Sequence, residues 1–254
     1  MLRGYFFDEI EMKYIVSQGI DHGELVNKLT NVLTENGYDV EFVVRGRAWS
    51  NFYDTPDEQF LKNDQLLRYR KGLYPGELNE PGSTKFVFKK PSSVGLSEGK
   101  PYSVRETTGT RVSDKNFGDD VKRFAEKIGL PNNLEEKLSS MAQHYTFRVS
   151  KYDAKFWIDF VKTEYTDKHA TKSVADYTID IEQFLEYEEI KDAKQRRQKK
   201  REFHKKFRNK TKGKLLGNFH KMFMKAGLPL QVTKQGKYQR GMELLASNQK
   251  EMGI

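Results

Sequence analysis

Glu9-Ile10-Glu11-Met12-Lys13 is the stretch on which the fold turns. Read as a strand, it alternates its side chains with period two. Glu9, Glu11 and Lys13 then share one face, and Ile10, Met12 and Tyr14 share the other. A half-buried strand ordinarily turns such a polar face to water. Two carboxylates beside an ammonium are also what a metal and a phosphate need together. Taken alone, the stretch is most simply a wet strand face, and only matching faces elsewhere in the chain can change that.

Matching faces recur. In Leu66 to Lys71, Leu67 and Tyr69 oppose Arg68 and Arg70. Lys85 and Lys89 oppose Phe86 and Phe88, and His144 and Arg148 oppose Tyr145, Phe147 and Val149. Asp159 opposes Phe156, Ile158 and Phe160, while Asp180 and Glu182 oppose Ile179 and Ile181. Tyr102 to Thr110 is less regular, because the adjacent Arg105 and Glu106 must face opposite sides. Tyr38 to Trp49 reads as a further strand, and Asn51 to Thr55 as another strand or a turn ended by Pro56.

Helices separate these strands. Asp21 with Glu24 three residues on has the spacing of a cap and its return acid. Leu25, Val26, Leu29, Val32 and Leu33 follow at helical spacing, and Asn36-Gly37 supplies the stop. The spacing also predicts a helix over Gly118 to Ile128, a short one over Leu134 to Ala142, and an amphipathic one from Leu215 to Ala226. There is no internal repeat, no dinucleotide-binding glycine fingerprint and no Gly-Lys-Ser/Thr phosphate loop.

The 254 residues are 36% hydrophobic and 32% charged, enough apolar and aromatic material for a core. With no cysteine, disulfides and thiolate chemistry are excluded. No apolar run is long enough for a membrane span or a signal peptide, so a soluble cytoplasmic protein is expected. The net charge of +9 is concentrated between Lys194 and Lys225, where fourteen Lys and Arg face the single acid Glu202. The rest of the chain is net acidic, which implies two regions with different electrostatic roles.

An antiparallel sheet of this many strands hides its edges completely only by closing into a barrel. The charged faces can then point outward or inward, and periodicity alone leaves both open. Charge sorted by sign from strand to strand suits a tunnel, with cations from some strands and carboxylates from others. Arg and Lys donate charge-assisted hydrogen bonds to phosphate oxygens. Clustered carboxylates call for a divalent cation that bridges them to phosphate.

The ordered set of motifs resembles the CYTH superfamily, the triphosphate tunnel metalloenzymes. Glu9-x-Glu11-x-Lys13 is similar to the opening that names the family. Tyr53-Asp54-Thr55-Pro56, Leu67-Arg68-Tyr69-Arg70, Lys89-Lys90-Pro91, Arg105-Glu106, Thr146-Phe147-Arg148, Asp159 and Asp180-Ile181-Glu182 resemble its later motifs. Lys237-Tyr238-Gln239-Arg240-Gly241 looks like its C-terminal motif. Thr146 stands where a Lys is common and Asp180 where a Glu is common. The basic segment Lys194 to Lys212 has no counterpart in the pattern.

The resemblance implies an α+β chain, mainly antiparallel β, with a closed tunnel of about eight strands and helices packed outside. Residues 1–185 would form the tunnel, and 186–254 a basic helical segment packed on it within the same domain. It implies Mg²⁺ or Mn²⁺ held by Glu9, Glu11, Asp159, Asp180, Glu182 and Glu106. Phosphates would be gripped by Lys13, Arg68, Arg70, Lys85, Lys89, Arg105 and Arg148, with Glu9, Glu11, Lys13 and Arg70 carrying the chemistry. The implied activity is metal-dependent hydrolysis of inorganic triphosphate, a nucleoside triphosphate or thiamine triphosphate by a monomer or homodimer. Cyclisation of ATP, RNA 5′-triphosphate hydrolysis and non-catalytic binding are the alternatives. Lys194 to Lys212 is a candidate RNA contact, or simply a solvated helix face. His144, His204 and His220 are expected as ordinary polar or core positions, since no two have metal-ligand spacing.

Overall fold

The computed structural model describes residues 4–17, 21–72, 84–92, 103–112, 117–152, 154–186 and 212–251, together with Gln195, Gln198 and Glu202. The rest of the segment Lys194 to Lys212, apart from Lys212 itself, lies outside the described residues, and so does His204.

Alternating, β-branched and aromatic sequence produces nine strands: β1 (Gly4–Val16), β2 (Asp39–Asp54), β3 (Leu66–Gly72), β4 (Thr84–Pro91), β5 (Ser103–Val112), β6 (Glu135–Lys151), β7 (Ala154–Asp167), β8 (Ser173–Glu186) and β9 (Leu230–Thr233). They pair antiparallel in the order β5-β4-β3-β2-β6-β7-β8-β1-β9, and β1 also pairs with β5. That last pairing closes β1 to β8 into a barrel. β9 extends the edge of β1 from Lys13 to Val16, beyond the Gly4 to Glu11 stretch that β5 occupies.

The helices among the described residues are α1 (His22–Glu35), α2 (Gln59–Lys62), α3 (Phe117–Lys127), α4 (Lys212–Lys225) and α5 (Lys237–Glu251). Asp21 caps α1 by accepting from the Glu24 N–H at 2.8 Å, as the spacing predicts. Two expectations fail. Leu134 to Ala142 is no helix: it is the start of β6, whose residues pair with β2 along its whole length. Leu138 and Ala142 are four apart and imitate a helical stripe, but Leu138, Ser140, Ala142 and His144 are buried with period two. Asn51 to Thr55 is no separate strand either, because β2 runs unbroken to Asp54.

The apolar faces point outward and are covered. Ile10, Met12, Phe156, Ile158, Phe160, Ile179 and Ile181 pack under Leu25, Leu29 and Leu33 of α1 and Leu216, Phe219 and Phe223 of α4. On the opposite wall, Leu67, Tyr69, Phe86 and Phe88 pack under Phe60 of α2 and Val121 and Phe124 of α3. Burying each such aromatic or aliphatic side chain contributes about 1.5–3 kcal/mol. The helices therefore decide what the sequence left open: the charged faces point into the barrel.

One end of that interior is apolar. Phe52, Leu66, Leu138 and Tyr165 from the inner faces of four strands meet Tyr238 and Leu245 of α5. The helix sits close: a Cβ on Gly241 would lie 2.6 Å from the Tyr165 ring, so only glycine allows the approach. Asp54 anchors the same end. Fully buried, its carboxylate accepts from the N–H groups of Thr55, Phe60 and Leu61 and from the Tyr238 hydroxyl at 3.1 Å. The Tyr-Asp-Thr-Pro motif thus starts α2 and pins α5.

Candidate active site

Register fixes which side chains share the lumen, because residues directly opposite in antiparallel strands lie on one face. Glu11 faces Glu182, and Lys13 faces Asp180. Asp180 faces Asp159, and Asp159 faces Thr146. From the other wall, Arg70 faces Lys85, Lys89 faces Thr107, and Arg105 faces Glu9. By register, Glu9, Glu11, Lys13, Arg68, Arg70, Lys85, Lys89, Arg105, Arg148, Asp159, Asp180 and Glu182 all belong to the inner face of the barrel.

Within it, charges are balanced in pairs. Lys89 Nζ lies 2.5 Å from Glu9 Oε1. Lys13 bridges two carboxylates, at 3.5 Å from Glu11 and 3.8 Å from Asp180. Lys237 of α5 reaches the other oxygen of Asp180 at 3.2 Å. Burial opposes ionisation of Glu11, but Lys13, Arg105 and Lys89 outweigh it and hold its carboxyl far below the usual range. Burial likewise opposes the charge on Lys13, yet Asp180 and Glu11 hold that proton more tightly than in water. Lys237 shifts the other way, because burial together with Lys13, Arg68 and Arg70 outweighs Asp180.

Glu182 is the outlier. Burial, then the negative charges of Glu9, Asp159 and Asp180, push its acid up to about 8. The carboxylate wall thus carries more negative charge than its neighbouring ammonium groups offset. Among the described residues, no three of these acids converge into a ready metal cage. They are spread around the wall, with Lys89 against Glu9, Lys13 between Glu11 and Asp180, and Lys237 against Asp180.

No family model matches the chain, and no curated protein matches it. Solved structures do. A candidate adenylyl cyclase from Hippeastrum, HpAC1, titled as having a dominant triphosphatase activity, superposes with a TM-score of 0.52 at 14% identity over 92% of this chain and 95% of its own. A candidate adenylate cyclase from Bacillus halodurans gives 0.50 at 14% identity over 91% and 96%. PH1819 from Pyrococcus horikoshii gives 0.50 at 14% identity over 92% and 98%. The fold is the one these three proteins share, as expected from the resemblance to the CYTH tunnels.

In this barrel three predicted site residues stand apart from the rest. Glu106 is on the outer face of β5, opposite to Arg105, and pairs with Lys90 at 3.4 Å. It is therefore removed from the lumenal carboxylates, because adjacent strand residues face opposite ways. Arg148 is lumenal by register but lies at the rim, with 37% of its side chain exposed, its guanidinium 3.1 Å from Glu41 and stacked over Trp157. Arg105 is buried, and all three of its nitrogens donate to protein acceptors. Its Nε reaches Glu11 at 2.9 Å; its Nη atoms hold the carbonyl and carboxylate of Asp64, a left-handed turn residue with φ 52°. Arg105 clasps Glu11 to the α2–β3 turn rather than presenting itself to the lumen.

Two further lumenal residues come into view. Lys237 carries no strand periodicity, and only its place in the Lys-Tyr-x-Arg-Gly motif marks it. His144, expected as an ordinary polar position, has its Nε2 at 3.2 Å from Arg70 Nη2 and its Nδ1 at 3.6 Å from Asp159. Burial, and next to it the Arg70 and Lys237 charges, push the imidazolium down to about 4 against the opposing pull of Asp159.

Proposed function

We propose that the chain is a CYTH-type enzyme that hydrolyses a small triphosphate with a divalent cation, Mg²⁺ or Mn²⁺. One observation carries this: a cationic wall of Arg68, Arg70 and Lys89 shares a closed lumen with a carboxylate wall of Glu9, Asp180 and Glu182. A polyphosphate chain with a bound cation supplies the opposite charge to both walls at once.

The chemistry of the donor set suits such a cation, and the acids, which among the described residues do not converge as they stand, would have to draw together around it. It is made of carboxylate oxygens, which hard divalent ions prefer. Asp180 Oδ1 is buried without a hydrogen bond, and the mutual repulsion that raises Glu182 is what a dication relieves. Glu9, Asp180 and Glu182 would hold it, while Glu11 is already committed to Arg105, Lys13 and Ser103. A bound cation would neutralise phosphate charge and polarise the attacked phosphorus.

The chain's own part is positioning and charge. Arg68 lies buried with its Nε short of a partner, so a phosphate oxygen offers it the acceptor the protein does not. Arg70 presents a fork suited to two phosphate oxygens. Lys89 is shared between Glu9 and the lumen and can turn to an entering phosphate. Lys13 holds Glu11 and Asp180 at fixed separation. The apolar plug of Phe52, Leu138, Tyr165 and Tyr238 closes one end and limits water there. As in other phosphoryl transfers, the gain comes from alignment and neutralisation of developing charge.

The test is turnover of tripolyphosphate and ATP with Mg²⁺ or Mn²⁺, measuring phosphate, pyrophosphate and cyclic AMP. Phosphate release is expected. Glu9→Gln and Arg70→Ala should abolish it while leaving the thermal melt intact; wild-type rates in both refute the assignment. Cyclic AMP with pyrophosphate would replace the hydrolase by a cyclase. Tight tripolyphosphate binding without turnover would leave a receptor.

A further inference from the structure

Between the two charged faces stand Thr146, Asp159 and His144, and their connections are specific. Thr146 on β6 and Asp159 on β7 are directly opposed, and the Thr146 hydroxyl donates to Asp159 Oδ1 at 2.5 Å. His144, one inward position along β6, stands between Asp159 Oδ2 and Arg70. Thr146 is 2% and His144 4% exposed, so neither side chain is open to bulk water. A guanidinium has donors only, so His144 Nε2 must accept from Arg70, and the imidazole proton is left on Nδ1, facing Asp159.

We propose that His144 is a positioning residue: as a neutral acceptor braced through Asp159 and Thr146, it aims the Arg70 guanidinium into the tunnel. This rests on Arg70 being a phosphate contact. A carboxylate beside Arg70 would fix it equally well but would neutralise the charge needed for phosphate. A neutral imidazole helps to fix the fork without itself offsetting its charge. Rigid anchoring of a phosphate fork matters because a donor that is displaced by about 1 Å loses much of its effect. The same brace assigns Asp159 a different role from Glu9, Asp180 and Glu182: one oxygen serves Thr146 and the other faces His144. Asp159 is the foot of this chain of contacts rather than a member of the cation-binding wall.

Two measurements decide it. The first needs no substrate: long-range ¹H–¹⁵N spectra of the imidazoles at neutral pH, assigned with His144→Gln. The expected result is the Nδ1–H tautomer for His144, relaxing toward Nε2–H in Arg70→Ala. An Nε2–H tautomer in the wild type overturns the proposal. The second is tripolyphosphate affinity by calorimetry. His144→Leu should weaken binding about tenfold, the effect of losing one charge-assisted hydrogen bond. His144→Gln, which restores an acceptor, should recover most of that loss. In an Arg70→Ala background, His144→Leu should have no further effect, as expected for a residue that acts through Arg70. Additive losses overturn the proposal. If the wild type binds no tripolyphosphate, the functional assignment falls, while the tautomer still decides the pairing.

Discussion

One substitution made at two places tests how α5 is seated. Gly241 of α5 and Gly217 of α4 are both helical. Ala in a helix interior is favoured over Gly by about 1 kcal/mol, because glycine loses more backbone freedom on folding. At Gly217 a new Cβ meets nothing within 4 Å, so Gly217→Ala should gain about 0.5–1 kcal/mol. At Gly241 the same Cβ would stand 2.6, 2.9 and 3.1 Å from three atoms of the Tyr165 ring. Ordinary contact begins near 3.4 Å, so α5 or the ring must give way by most of an ångström. Tyr165 is 1% exposed between Phe52, Leu138 and Tyr238, so it has no empty space to enter. Overpacking of this kind costs about 1–3 kcal/mol. Even after the helix gain is subtracted, Gly241→Ala should lose about 0–2 kcal/mol. For a chain of this length that is a fall of roughly 0–8 °C in melting temperature, against a rise of a few degrees for Gly217→Ala. Differential scanning calorimetry of the two variants beside the wild type reads the contrast. A rise for Gly241→Ala equal to that for Gly217→Ala would show that α5 is not seated on Tyr165.

The remaining predictions concern buried polar groups. Arg105→Met should destabilise by about 3–5 kcal/mol in urea unfolding, since it leaves the buried Glu11 carboxylate short of a partner. Arg105→Lys should rescue little, because a point charge cannot hold Glu11 and Asp64 together; full stability in the Lys variant would refute the clasp. Asp54→Ala orphans three backbone N–H groups and the Tyr238 hydroxyl and should cost about 3 kcal/mol or more by the same measurement, whereas a loss below about 1 kcal/mol would contradict the anchoring described. His144 titrates near 6.5 unfolded but about 4 folded, so the unfolded chain binds more protons between those values. Its contribution is therefore intact above pH 6.5 and is lost as pH falls toward 4, up to about 3 kcal/mol, in metal-free protein. The check is the difference between wild type and His144→Gln across that range; a flat difference would refute the burial of a neutral imidazole.

The alternation of charge and apolar groups was legible along β1, β3, β4, β6, β7 and β8, because one residue in two has to face each side. Which side was inside was not legible from Glu9, Glu11 and Lys13, since a wet strand carries the same pattern. It was settled by partners distant in sequence, namely Leu25, Leu29 and Leu33 together with Phe219 and Phe223 covering the outer face. Arg105 shows the same limit. Its residue type fits a phosphate ligand, but its role depends on Asp64, whose left-handed turn carries no local signal strong enough to announce it. Glu106 was separable in principle, because it adjoins Arg105 in one strand and both cannot face inward. Leu134 to Ala142 misled because Leu138 and Ala142 satisfy helical and strand spacing alike, and pairing with β2 decides between them. Lys237 and His144 were hidden for another reason: neither belongs to a run of like charges, and their meaning arises only where α5 and β6 meet Asp180 and Arg70.

The position of β1 also fixes the order in which the molecule can be completed. It precedes the other eight described strands in sequence, yet its two barrel neighbours are β5 and β8, and its last residues wait for β9. A growing chain can pair β2, β3 and β4 and then β6, β7 and β8 through short connections, but it cannot seal the cylinder until Glu186 is available to meet Phe7. Such distant pairings make for slow folding and leave strand edges exposed to other chains in the meantime. Glu9, Glu11 and Lys13 therefore gain their partners on β8 only at the closing step, and a chain truncated before β8 keeps the cationic wall and Glu9 but lacks Asp180 and Glu182.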